Sequence, residues 1–246
     1  MLRSLFKSVL RPFRPGIEDT RRRVLGLPAV GAVDFGDLRR TAPISRKFGV
    51  DRGLPVDRFY VERFLALEAD SIQGQVLEIG EDTYTRRFGG ERVTGNDVLH
   101  VTGDNSAATI VADLADAPHI PDGRFDAIVF TQTLQLIFDP PAALQTLHRI
   151  LKPGGALLVT VPGISPVATR SVWGPTWYWS FTEASLRRLL AQTFEARDCR
   201  LETHGNVLAA VAFLQGLAAE DLTADELSSR DPDYPIIITA LARKTA

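Results

Sequence analysis

The sequence predicts an α/β fold, a doubly wound and mostly parallel sheet, and three observations predict it. Short runs rich in Val, Ile and Leu alternate with helix-length stretches from residue 75 onward. Several of these runs are apolar without alternation, as strands covered on both faces should be. Gly80, the turn from Pro121 to Gly123, and Lys152-Pro153-Gly154-Gly155 punctuate them where strands meet helices. With 246 residues the chain can bury one sizeable core with additions.

The first residues differ from the rest. Leu2, Leu5, Phe6, Val9, Leu10 and Phe13 fall on one helical face, and Arg3, Lys7, Arg11 and Arg14 fill the others. Pro12, Pro15 and Gly16 stop this basic amphipathic helix. It is expected to dock on its own domain or on a partner; the alternative is peripheral contact of residues 2–13 with an anionic membrane. A Gly- and Pro-punctuated arm follows, so residues 1–45 read as an extension and residues 46–246 as the domain. Pro55 opens a helix over 56–68 with an apolar stripe through Tyr60, Phe64 and Leu67, expected to form a lid within a segment 46–73.

The core runs over 74–203. Strands are expected at 75–79, 91–96, 109–112, 126–131, 156–161 and 196–203, with helices at 142–151 and, capped by Thr182, up to Leu190. The last part, 204–246, holds an apolar helix over 206–219 and a seventh strand at 235–242. Val207, Leu208, Val211, Phe213, Leu214 and Leu217 leave that helix almost no polar face, so it should be covered on most sides. The first helix or a second copy of the chain, as a homodimer, would cover it.

Bulk properties narrow the function. Charged residues make up 24% and the formal net charge is −2, which gives no reason to expect nucleic acid. One cysteine, Cys199, excludes an internal disulfide and a multi-cysteine metal site. The four histidines form no HxH or HxxxH pair, so no metal is expected. No apolar run reaches the roughly 18 residues of a spanning helix, and no secretory h-region opens the chain. The expected location is the cytoplasm.

In a doubly wound sheet, ligands bind beyond the carboxyl ends of the strands. The first strand ends at Glu78-Ile79-Gly80, Asp97 follows the second, Asp113-Leu114 the third, and Thr131-Gln132 closes the fourth. Acids at successive strand ends suit a nucleoside: one can accept from ribose hydroxyls and the next from an adenine amine. Gly80 lets backbone approach a ligand closely.

In order, Val76-Leu77-Glu78-Ile79-Gly80, Val93-Thr94-Gly95-Asn96-Asp97, Ala112-Asp113-Leu114, Phe125-Asp126-Ala127-Ile128-Val129 and Leu151-Lys152-Pro153-Gly154-Gly155 resemble the motifs of class I S-adenosylmethionine-dependent methyltransferases. Phe48 to Gly53, Asp57-Arg58-Phe59-Tyr60 and Trp179-Ser180-Phe181-Thr182 are similar to a type 11-like subgroup often seen beside glycosyltransferases and secondary-metabolite enzymes. The resemblance implies a Rossmann-like, seven-stranded sheet with an antiparallel last strand, S-adenosylmethionine as cofactor, and a small-molecule, sugar or glycan hydroxyl as acceptor. It implies cofactor binding by Glu78, Gly80, Thr83, Tyr84, Asp97, Asp113, Leu114 and Gln132, and acceptor contacts from Arg52, Tyr60, Trp177 and Tyr178. His204 and Asp51 are the candidate bases for a hydroxyl.

The sequence departs from the family at the glycine-rich loop, with Asp82 and Tyr84 where its second and third glycines stand. The stretch from Gly80 to Glu91 is also short for a parallel crossover, so its helix must be small. Two rival readings follow. One is a partner subunit of the same fold with weak or no cofactor turnover. The other, a nicotinamide oxidoreductase, needs G-x-G-x-x-G, and the chain after Gly80 reads Glu81-Asp82-Thr83-Tyr84-Thr85.

Overall fold

The computed structural model describes residue 22 and residues 24–245 apart from 172 and 173. The helix expected over residues 2–13 lies outside them, as does Trp173. Contacts divide the chain into two units, Met1–Ala42 and Pro43–Ala246. In the described part of the first unit, one 3-10 turn, Gly36–Leu38, is the regular element. No described helix is long and apolar enough to cross a membrane.

The second unit is built on one seven-stranded sheet. Its strands are β1 (Gly74–Ile79), β2 (Val93–His100), β3 (Ile110–Val111), β4 (Phe125–Thr131), β5 (Leu151–Pro162), β6 (Cys199–His204) and β7 (Ile237–Arg243), in the order β3-β2-β1-β4-β5-β7-β6. β1 to β5 pair in parallel, and β7 runs antiparallel between β5 and β6. Strand order reverses between β1 and β4, and a cleft opens at such a point.

Neighbouring residues of each strand point to opposite faces, so the sheet feeds two cores. Leu77, Ile128, Phe130, Leu157 and Val159 pack on one face with helices α2 (Pro140–Ile150) and α3 (Glu183–Leu190). Val76, Ala127, Val129, Ala156 and Leu158 pack on the other with α1 (Val56–Leu67) and α4 (Val207–Gln215). A short α5 (Ala224–Ser228) follows. Local signals fix the helix starts: Asp139 accepts the Ala142 N–H, Thr182 and Ser185 form a capping box, and Asn206 accepts the Ala209 N–H. Gly216, in the left-handed region at φ 68°, ends α4.

One expectation about the elements needs correcting. The second strand does not stop before Asp97 but continues to His100, because Val98 and Leu99 are buried and β1 pairs with β2 as far as Leu99. Val56, Tyr60, Val61, Phe64 and Leu65 are buried against the sheet, so α1 is part of the covering layer. Among the described residues helix α4 is covered on one side: its alanines and Phe213 are buried, while Val207, Leu208, Val211 and Leu214 are exposed, and residues 2–13, one of the two covers expected, lie outside the described residues. The first crossover is short as expected, one π-helical turn (Thr85–Gly89) and one 3-10 turn (Gly90–Arg92).

Candidate functional site at the carboxyl edge of the sheet

β1 delivers Glu78 into the core and then turns sharply at Gly80. The Glu78 carboxylate is almost fully buried and accepts the backbone N–H groups of Tyr84 (3.2 Å) and Thr85 (2.7 Å). It thereby folds the loop 80–85 back over the strand end. Burial, only partly offset by those hydrogen bonds, pushes its pKa up to about 7. Gly80 has φ 85°, and a Cβ placed there would meet nothing within 4 Å. The loop's backbone is therefore bare where a ligand would lie. Asn105 reaches across from the β2–β3 loop, its Nδ2 donating to the Gly80 carbonyl at 2.7 Å.

At the end of β2 stands His100, whose Nδ1 lies 3.0 Å from the Thr102 carbonyl. The exposed Asp104 follows, its carboxyl held below the usual range by the Thr102 hydroxyl. After β3, Leu114 is buried, and the exposed Asp113 accepts the Ala115 N–H through Oδ1 at 2.9 Å. After β4, Gln132 adopts φ 47°, a strained conformation for a residue with a Cβ. Its Nε2 donates to the Thr160 hydroxyl and its carbonyl accepts Gln135 Nε2 at 2.8 Å. Thr83 donates to Glu81 and Tyr84 packs on Phe88.

Several buried polar side-chain atoms have no hydrogen-bond partner. Among the described residues they include Asp57 Oδ1, Arg58 Nη1, Gln135 Oε1 and Trp177 Nε1. Native interiors rarely leave such atoms unmet, so a polar ligand is the natural complement.

A family model described as a methyltransferase domain matches residues 47–216, roughly two thirds of the chain. The chain belongs to this methyltransferase family. The methyltransferase is 40% identical over 65 residues to a ubiquinone/menaquinone biosynthesis C-methyltransferase, UbiE, of Shewanella oneidensis, which covers 26% of each protein. The match thus spans about a quarter of that curated relative's length. Its fold is similar to that of the [4+2]-cyclase SpnF, with a TM-score of 0.52 at 16% identity over 79% of this chain and 85% of that one. It is also similar to an S-adenosylmethionine-dependent methyltransferase of Archaeoglobus fulgidus, with a TM-score of 0.51 at 14% identity over 76% and 94%. At such identities these likenesses show the fold alone.

The carboxyl edge fits S-adenosylmethionine, the cofactor that the sequence resemblance implies: it has an open glycine turn, acids beyond β2 and β3, and unmet buried polar atoms. When bound, the cofactor supplies an electrophilic methyl group on a sulfonium. Gly80→Ala is expected to cost the protein about 1–2 kcal/mol through its left-handed φ. Its new Cβ would project into open space, so calorimetry should show a larger proportional loss in cofactor affinity than in stability. Normal affinity in the folded variant would place the ligand elsewhere.

Several residues expected at the site lie away from it. Asp97 sits inside β2, where its carboxylate binds Arg124 (2.6 Å), Thr109 (2.7 Å) and Gln75 (3.0 Å). Gln75 and Arg124 mark the amino ends of β1 and β4, so Asp97 faces away from the ligand edge. Arg52 makes a bidentate pair with Asp221. Tyr60 is buried, donates to the Leu227 carbonyl at 3.0 Å and stacks on His204; burial pushes its pKa up to about 12. His204 contacts the Thr239 hydroxyl at 2.9 Å, and burial pushes its pKa down to about 4. It stands on the outermost strand, about 14 Å from β4 at the usual strand spacing, too far to serve as base. The Ser45 hydroxyl, 2.5 Å from Asp51, holds that carboxyl below its ordinary range, which makes it a weaker base. Trp177 stacks on Phe48, while Tyr178 stays exposed.

His100, Asn105 and Gln135 were missed as site residues. The buried pair Val98-Leu99, which prolongs β2 by a further alternation, was the signal that could have placed His100. Nothing in the residue pattern marks Asn105.

Proposed function

We propose that the chain transfers the methyl group of S-adenosylmethionine to a hydroxyl of a small molecule, a sugar or a glycan precursor. The carrying observation is an exposed aromatic group beside the β4 edge. Phe138, Tyr178 and Trp179 are 72%, 46% and 39% exposed, and Phe138 lies 5.3 and 6.3 Å from the other two rings. The backbone N–H groups of Tyr178 and Trp179 both reach the Gln135 carbonyl, and Trp179 Nε1 donates to Ile137, so the platform is fixed to the turn after β4. Exposed apolar surface of this kind marks binding sites, and ring faces of this size suit the C–H face of a sugar.

In this reading Asp113 accepts the adenine amine, and the ribose falls to the end of β2, where Asp104 is the available carboxylate. The enzyme's main task is alignment and exclusion of water. Label from methyl-labelled cofactor should appear as O-methyl in a panel of glycosides and other hydroxyl compounds. Tyr178→Ala and Trp179→Ala should raise the KM for glycosides and leave kcat near wild type. Label on nitrogen or carbon, or an unchanged KM, would refute the acceptor class. Cofactor binding without transfer to any acceptor would favour the partner-subunit reading, which the shortened first crossover supports.

A further inference from the structure

The glycine-rich loop is where this chain departs from its family, yet the amino-acid end of the cofactor must still be held. Helix α1 reaches the same place. Its carboxyl end is fixed at the amino edge of the sheet, where Glu68 pairs with Arg200 at the start of β6, and Ser71 accepts from Arg243 at the end of β7. Its amino-terminal half climbs to the opposite edge, where Tyr60 stacks on His204, the last residue of β6. Glu62 pairs with Arg87 of the first crossover at 2.7 Å, so α1 lies along the loop that follows β1. Asp57 and Arg58, one turn before Tyr60 and Glu62, therefore lie toward the carboxyl edge of the sheet. The Tyr84 phenol, on that loop, lies among the charges of Asp57, Arg58, Glu62 and Glu78.

Each residue keeps one unmet atom there. Asp57 is 7% exposed and its Oδ1 has no hydrogen-bond partner, and Arg58 Nη1 is buried without one. A buried carboxylate oxygen and a buried guanidinium N–H, adjacent in sequence and unsatisfied together, are complementary to a zwitterion. Leaving a charged group in this state costs a folded protein stability, and such costs concentrate where a ligand removes them.

We propose that Asp57 and Arg58 form the receptor for the α-ammonium and α-carboxylate of S-adenosylmethionine, in place of the family's missing glycines. This rests on the cofactor assignment above. Asp57 accepts from the ammonium group and Arg58 donates to the carboxylate; no covalent step is involved.

Calorimetry with three ligands tests it: S-adenosylmethionine, its decarboxylated form, and 5′-methylthioadenosine, which lacks the whole amino-acid end. Wild type should bind 5′-methylthioadenosine at least a hundredfold more weakly than the cofactor, as two charge-assisted contacts require. Arg58→Gln should weaken the cofactor tenfold or more and the decarboxylated form little. Asp57→Asn should weaken both of those, and neither variant should affect 5′-methylthioadenosine. Without ligand, Asp57→Asn should melt at or above wild type, since burial disfavours the charged form of this carboxyl. Equal losses for all three ligands, or a lower melting temperature with unchanged ligand discrimination, would make the two residues structural and overturn the proposal. Wild type binding none of the three ligands would overturn the cofactor assignment and the proposal with it.

Discussion

Glu78→Gln is expected to gain stability on the wild type steadily as pH rises from about 4.5 to 7. The folded-state pKa of Glu78 lies above its unfolded value, so the native state holds the proton more tightly. The stability this confers is complete below pH 4.5 and is lost as pH rises through 7. A shift of this size corresponds to on the order of 3 kcal/mol at 1.36 kcal/mol per pH unit. His204 carries the opposite sign. Its folded-state pKa is depressed to about 4, so its contribution is present above pH 6.5 and is lost as pH falls toward 4. His204→Gln should therefore gain on wild type at the acid end. Between pH 4.5 and 6.5 the two slopes oppose each other and nearly cancel in the native protein, and each variant exposes the slope the other group had masked. Urea titrations across pH 4–8 read the differences directly. A variant that runs parallel to wild type through the whole range would show that the group's environment is not the buried one described here.

Asp97→Ala is expected to destabilise the fold by on the order of 2–3 kcal/mol, about 5–10 °C in Tm, and to leave cofactor affinity near wild type. The substitution removes three hydrogen bonds and strands the Arg124 guanidinium. Arg124 is about a third exposed, so water recovers part of that loss and the cost stays below that of a fully buried pair. Asp104→Asn should do the reverse: little change in Tm, since Asp104 is exposed, and a loss of tenfold or more in affinity. Affinity lost at Asp97 with stability retained would restore the ribose to that residue and refute the assignment to the end of β2.

The contrast between these two acids shows what the residue pattern could convey. The sheet was legible because burial on both faces leaves strands such as 126–131 and 156–161 with a near-continuous apolar signature. The strong caps were legible as well: Thr182 marks its helix start by local chemistry alone. Strand ends were not, because Asp is a poor strand former and its presence at 97 suggested a stop. Pairing with β1 overrode that preference, and the whole set of edge residues moved three positions on, to His100 and the loop after it. Side-chain partners were the least legible feature. Arg52 and Tyr60 bear groups common at active sites, yet Asp221 and Leu227, more than 160 positions away, claim them. No local pattern encodes such pairings. Asp57 and Arg58 stand out in the sequence only as part of a motif; what distinguishes them is one unmet buried atom on each, which emerges only once the fold is assembled.

The placement of β7 has a consequence for biosynthesis. The seventh strand in sequence is the sixth in the sheet, and β6 pairs with it at the sheet's edge. While a ribosome is still making residues 237–243, β5 presents an open edge, and β6 has no neighbour to pair with. Nascent chains at this stage offer two unpaired strands to one another, the arrangement that favours co-aggregation. The Rossmann-like half, β1 to β5, can collapse early, but closure of the sheet waits for this late insertion between two strands already synthesised. Its yield in a cell should accordingly depend on how fast residues 237–243 are translated and on chaperones that shield the β5 edge in the interval.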